Sequence, residues 1–121
     1  MSIEIRPEKE NLKAFFAVED DGPVVMVNLL KFKPGGGSKA YGKYASAFGK
    51  MLAEAGGRFL FQGRVEATIV GDQDYHAVAL VEYPSREVFR RITTSEAYEA
   101  IHVYRDEGLE RTLLYATTQR A

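Results

Sequence analysis

The chain has no cysteine and no tryptophan, and two histidines in 121 residues. Without cysteine there is no disulfide, no thiolate metal site and no cysteine nucleophile. His76 and His102 stand far apart in no ligand-spaced motif, so neither a metal nor another cofactor is expected. An excess of one charge is missing as well. Sixteen basic residues face 17 acidic ones, for a net charge of −1. No global field then draws the chain to nucleic acid or to an anionic membrane. No apolar run approaches the roughly 18–20 residues that a membrane span needs. The first ten residues, M-S-I-E-I-R-P-E-K-E, lack the apolar core of a signal peptide. The expected address is the cytoplasm, which the lack of cysteine fits. What is present, 45% hydrophobic and 27% charged residues, suits one domain with one core over 1–121.

Hydrophobic spacing divides the chain. Pro7 opens a short helix with Leu12, Phe15 and Phe16 at helical intervals. Asp20-Asp21-Gly22-Pro23 ends it and launches a first strand over 24–32. The loop Lys33-Pro34-Gly35-Gly36-Gly37 leads to Ser38, a candidate N-cap. Tyr41, Tyr44, Phe48 and Ala55 then recur every three or four residues up to the C-capping pair Gly56-Gly57. A second strand is expected over 58–70, with a bulge or bend at Gly63, and a third over 76–83 after a turn at 71–75. Ser85 and Ser95 start two helical pieces, the second with Ala97, Ile101 and Tyr104 on its core face and Gly108 as its C-cap. A fourth strand follows over 111–118.

After the first helix the order is β-α-β-β-α-β, the ferredoxin-like α+β pattern. Its helices cover one face of the sheet. The first strand is nonetheless apolar on both parities, with Val25, Val27 and Leu29 on one and Val24, Met26, Leu30 and Phe32 on the other. A second copy of the chain is the economical cover for the other face, so a homodimer is expected.

Polar residues interrupt these strands. Asn28 lies in V-V-M-V-N-L-L-K-F; Gln62, Arg64 and Glu66 share a parity in 58–70; Glu82 closes H-A-V-A-L-V-E-Y. Buried polar groups cost free energy unless paired, so such a cluster is either a closed network or a site. A turn at 71–75 sets Arg64 opposite Glu82 and Glu66 opposite Leu80. Asn28 then comes near Glu82, all facing the dimer interior. In a functional reading Asn28, Arg64 and Glu66 orient a small polar ligand, and Glu82 acts as a base. In the structural reading Arg64–Glu82 is an ion pair that holds strand register. On the last helix Tyr98, His102 and Arg105 fall on one stripe. That stripe is either a half-exposed flank or a substrate contact (Tyr98) with a proton shuttle (His102).

Two other motifs fail. G-G-G-S-K (35–39) lacks the spacing of a phosphate loop. The β-α-β-β-α-β order also builds RNA-recognition domains, but 76–83 lacks their basic residue, glycine and two stacking aromatics. No nucleic-acid partner is expected.

The segments D-G-P-V-V-M-V-N-L-L-K-F-K (21–33), G-R-V-E-A-T-I-V-G-D (63–72), A-V-A-L-V-E-Y-P-S-R-E-V-F (77–89) and T-S-E-A-Y-E-A-I (94–101) are similar to the family of domain of unknown function 1330. The resemblance implies a dimeric α+β barrel and carries no reaction. Asn28, Gly63, Arg64, Glu66, Glu82, Tyr83, Pro84, Ser85 and Tyr98 match its recurrent pattern. More distantly the architecture looks like cofactor-free monooxygenases and muconolactone-isomerase-like proteins, which hold a polar pocket between sheet and helices or in the barrel. The lack of tryptophan departs from some of those monooxygenases. Together these readings describe a homodimer that binds a small polar or aromatic metabolite, with metal-free proton transfer or isomerisation as its chemistry. The alternative is a non-catalytic dimeric module.

Overall fold

The computed structural model describes residues 6–119. The element order is α1 (Lys9–Ala17), β1 (Val24–Phe32), α2 (Gly37–Glu54), β2 (Arg58–Arg64), β3 (Ala77–Tyr83), α3 (Arg86–Thr93), α4 (Glu96–Gly108) and β4 (Leu109–Thr117). The strands form one antiparallel sheet in the order β2-β3-β1-β4, the ferredoxin-like arrangement. Among the described residues no helix is long and apolar enough to cross a membrane.

The alternation of strands puts the core on one face. Val24, Met26 and Leu30 of β1 and Ala79, Val81 and Tyr83 of β3 are buried under Tyr44, Phe48 and Leu52 of α2, Val88, Phe89 and Ile92 of α3, and Tyr98 of α4. Leu52, fully buried, contributes about 1.5–3 kcal/mol in this layer. Leu12, Phe15 and Phe16 of α1 pack on its margin, with the Phe15 ring edge-on to Phe89. Ser85 and Ser95 cap α3 and α4 by accepting from the N–H groups of Val88 and Tyr98.

Three local features differ from the sequence reading. The N-cap of α2 is Gly36, not Ser38. Gly36 stands at φ 108, and the Gly37 N–H already bonds the Lys33 carbonyl, so the helix begins before Ser38. Gly108 is the last residue of α4, and its role is close approach rather than capping. A Cβ there would meet the Gly37 oxygen at 2.7 Å and the Tyr41 nitrogen at 2.8 Å, so α2 and α4 touch backbone to backbone. The bulge in β2 lies between Phe59 and Phe61, not at Gly63.

The largest correction concerns register. β2 ends at Arg64 instead of residue 70, and residues 65–76 form a long connection instead of a tight turn. Arg64 therefore pairs with Ala77, and Glu82 pairs with Arg58. Polar anchors hold the connection in place. Asp74 bridges Lys31 and Arg111, Arg111 stacks on Tyr75, and His76 donates its N–H to the Leu30 carbonyl at 2.7 Å and accepts from the Val65 N–H at 2.9 Å. Ile69 and Val70, expected in the second strand, are 88% and 92% exposed in this connection.

The second sheet face is uncovered by helices. It carries Val25, Val27 and Leu29 of β1, Val78, Leu80 and Glu82 of β3, Phe61 of β2, and Leu113 and Tyr115 of β4. Phe61 and Tyr115 are 54% and 55% exposed.

Candidate functional site

A cavity of about 250 Å³ lies between the sheet and the helices. Its floor is Met26, Asn28, Phe59, Ala79, Val81 and Tyr83, and its roof is Tyr41, Tyr44 and Phe48 of α2 with Tyr98, His102 and Arg105 of α4. It shares Tyr41, Ala45, Phe59 and Ala79 with a wider groove that opens between residues 33–38 and the end of β2. That groove is the mouth, and Gln62, Arg64 and His76 stand on its rim.

The cavity exists because the inner stripe of α4 is polar. Helical spacing turns Tyr98, His102, Arg105 and Gly108 inward, and all four are buried. The expectation of a half-exposed flank is thus corrected: Ala97 is exposed, and Ile101 and Tyr104 are the partly buried neighbours. Opposite this stripe, Asn28 replaces an apolar residue of β1. Its amide makes long contacts, 3.3–3.4 Å, to the Ala79 and Met26 carbonyls.

Four tyrosines converge here. The hydroxyls of Tyr44 and Tyr98 share a hydrogen bond of 2.9 Å. Burial, reinforced by the neighbouring phenols of Tyr98, Tyr41 and Tyr83, lifts Tyr44 well above its ordinary value. Burial also lifts Tyr83, and it pushes Tyr41 up to about 12; in both the nearby Arg105 cation pulls the other way. These phenols are neutral at physiological pH. His102 Nδ1 lies 3.4 Å from Asp106 Oδ2, close but not aligned as a hydrogen bond. Burial lowers the His102 pKa from 6.5, and Asp106 opposes that loss. The imidazole is therefore neutral and able to accept a proton. Asp106 also pairs with Arg6, which closes the cavity beside α1.

The residues singled out in the sequence separate into two groups. Asn28, Tyr98 and His102 line the cavity, and Arg64 stands at its mouth. Glu82 does not join them. It is on the uncovered face with Arg58 Nε 3.1 Å from its carboxylate. Glu66 is exposed in the 65–76 connection and pairs with no strand residue. The Arg64–Glu82 pair and the proximity of Asn28 to Glu82 are therefore not formed. The bulge between Phe59 and Phe61 switches parity within β2, so Gln62 and Arg64 point to the helix side while Glu82 points away. Sequence reasoning missed Tyr41, Tyr44 and Tyr83 as polar groups. Their signal was the placement of hydroxyl-bearing rings at core positions, where a phenol needs a partner. Among the described residues no group of three or more His, Cys, Asp or Glu side chains is placed to hold a metal ion.

The family model described as domain of unknown function (DUF1330) matches residues 37–118. The chain belongs to this family. The DUF1330 domain here is 26% identical to the RPA0582 protein of unknown function from Rhodopseudomonas palustris, with a TM-score of 0.92 over 99% of both chains. A dimeric ferredoxin-like protein of unknown function from Jannaschia sp. CCS1 is 9% identical, with a TM-score of 0.65 over 81% of this chain and 100% of that one. SnoaB, a cofactor-independent oxygenase from Streptomyces nogalater, is 18% identical, with a TM-score of 0.59 over 84% of this chain and 96% of that one. The last two share the fold. No curated protein matches the chain.

Proposed function

We propose that this DUF1330 domain is a homodimer that binds a small aromatic metabolite in the helix–sheet cavity and performs metal-free proton transfer on it. The observation that carries this reading is a cavity of about 250 Å³ lined by the polar side chains of Asn28, Tyr98, His102 and Arg105 where a domain of this size would otherwise close its core. Pockets that combine an apolar body with a few convergent polar groups are the usual ligand sites. Asn28 and Tyr98 contact the ligand, neutral His102 takes the proton, and Arg64 attracts an anionic ligand at the mouth. Glu66 has no part in this chemistry. Glu82, paired with Arg58, secures β2 against β3 on the uncovered face, a register role that the sequence reading had given to an Arg64–Glu82 pair. Dimerisation through the uncovered sheet face is supported by its partly buried valines and leucines, by the exposed rings of Phe61 and Tyr115, and by the dimeric relative of the same fold.

Fragment screening by protein-detected NMR tests the binding site. Hits should perturb the Asn28 side-chain amide and the His102 ring, and should vanish in Ala45→Phe, which blocks the passage from mouth to cavity. Hits that map to the outer sheet face, or that survive Ala45→Phe unchanged, overturn the site. Sedimentation of a monomer at micromolar concentration overturns the assembly.

A further inference from the structure

Two neighbouring side chains on α4 each bury a polar atom that has no hydrogen-bond partner among the described residues. One atom is His102 Nδ1 and the other is Asp106 Oδ1. The two residues stand one helical turn apart, and His102 Nδ1 lies 3.4 Å from the other carboxylate oxygen, Asp106 Oδ2. That Oδ2 already accepts from the Arg6 guanidinium. A buried polar group left unsatisfied is costly, so a native fold that keeps two of them side by side has a reason for it. A small rotation of the carboxylate brings an oxygen into line with Nδ1. Hydrogen bonds that serve a reaction are often long before a ligand binds and tighten when it does.

The carboxylate decides which ring nitrogen carries the proton. A lone pair on Nδ1 would be repelled by the carboxylate, whereas an Nδ1–H is attracted to it. The proton of the neutral ring therefore sits on Nδ1 and the lone pair on Nε2. His102 lines the cavity and Asp106 does not, so the nitrogen that is not committed to Asp106 is the one available to a guest. Tyr98 packs edge-on against the imidazole, with centroids 5.4 Å apart, and limits its rotation.

We infer that Asp106 is the positioning residue of the site: it holds the His102 proton on Nδ1 and so presents Nε2 to the cavity as the base. This role rests on His102 being the base in the helix–sheet cavity. In the step, the bond between a ligand atom and its proton breaks, the electron pair stays on the ligand, and the Nε2 lone pair forms the new bond to the proton. The ring becomes an imidazolium whose Nδ1–H remains beside Asp106, so the carboxylate stabilises the charge as it appears. The cations of Arg6 and Arg105 are within electrostatic reach of the same ring and act against that charge.

The experiment is nitrogen-15 NMR of the full chain at a pH where both histidines are neutral, which reads the proton on each ring nitrogen. The chain supplies its own control. His76 Nδ1 accepts from the Phe32 N–H at 3.0 Å, so His76 carries its proton on Nε2. The two histidines should therefore show opposite tautomers in one spectrum. In Asp106→Leu the Nδ1–H preference of His102 should fall at least tenfold, and its pKa should fall with the loss of the neighbouring carboxylate. Asp106→Asn keeps the shape, lowers the pKa in the same direction, and serves where the leucine variant does not fold. In Arg6→Met the Nδ1–H tautomer should persist and the pKa should rise, because a cation is removed. Added phenol should move the Nε2 resonance of His102 and leave Nδ1 in place. An Nε2–H tautomer for His102 in the wild type would overturn the assignment to Asp106 while the cavity stands as the site. Tautomer and pKa unchanged in both Asp106 variants would do the same. An equal loss of the tautomer in Arg6→Met would show that Asp106 acts only by fastening Arg6, and would also overturn it. If phenol perturbs neither Asn28 nor His102, the binding site falls and the positioning role with it.

Discussion

Raising the pH is the perturbation that tests the tyrosine cluster most directly. Tyr41, Tyr44 and Tyr83 all have folded pKa values above the ordinary 10.0, first because burial disfavours the phenolate. In the unfolded chain these phenols ionise near 10; in the fold they hold their protons to higher pH. Above pH 10 the folded state therefore binds more protons than the unfolded state, and stability falls as pH rises. Their full contribution is present below pH 10. For Tyr41, lifted to about 12, the linked free energy is about 2–3 kcal/mol, lost between pH 10 and 12. The slope for the three residues together tends to about 4 kcal/mol per pH unit. Small domains have stabilities of about 5–15 kcal/mol, so half or more of the margin should be gone by pH 12. Urea unfolding midpoints measured from pH 8 to pH 12 read this slope, and tyrosinate absorbance reads the ionisation. The buried tyrosines should ionise together with unfolding, and Tyr83→Phe should reduce the slope by about 1.4 kcal/mol per pH unit. If every tyrosine titrates near pH 10 while the urea midpoint and near-ultraviolet circular dichroism stay unchanged, the cluster is solvated and the reasoning fails.

Two further outcomes are expected. Tyr44→Phe and Tyr98→Phe should each destabilise the domain by about 1–2 kcal/mol, since each strands one member of the 2.9 Å hydroxyl pair. The double variant should cost about as much as one single variant, and additive costs in chemical denaturation would show that the pair is not coupled. Gly108→Ala should destabilise the domain by more than 2 kcal/mol, because its Cβ would stand 2.7 Å from the Gly37 oxygen. A melting temperature equal to wild type would place the α2–α4 crossing farther apart than described here.

Elements bounded by strong local chemistry were legible in the sequence. β1 runs over the expected residues 24–32, and Ser85 and Ser95 cap the expected helices, because a serine ahead of an apolar periodic run has a local reason to be there. The end of β2 was not legible. Val65, Ala67 and Ile69 continue the alternation of a strand, but no strand lies beside them: Ile69 is 88% exposed, and the chain instead turns back through contacts at Asp74 and His76. Those partners, Lys31, Arg111 and Leu30, are distant in sequence, so no local pattern announces them.

The candidate site divides for the same reason. Side-chain parity in a strand has a period of two, so a single unpaired residue carries everything beyond it to the other face. Leu60 is that residue, skipped between the pairs Phe59–Val81 and Phe61–Leu80. Before the bulge Arg58 shares the outer face with Glu82; after it Arg64 shares the inner face with Ala77. The ion pair expected between Arg64 and Glu82 is therefore made by the other arginine of the same strand, and the polar residues expected in one cluster lie on opposite sides of the sheet. Asn28 keeps the parity of Val24, Met26 and Leu30 through the unbroken alternation of β1, and that parity faces the helices, not the dimer interior expected for it. Tyr98 and His102 are likewise placed by the continuous period of α4. What the strand pattern alone did not assign was which of the two sheet faces gathers the buried polar side chains. The inward stripe of α4 supplies the difference: Tyr98, His102 and Arg105 are buried on the cavity wall opposite Asn28, whereas the Arg58–Glu82 pair lies at the surface of the other face.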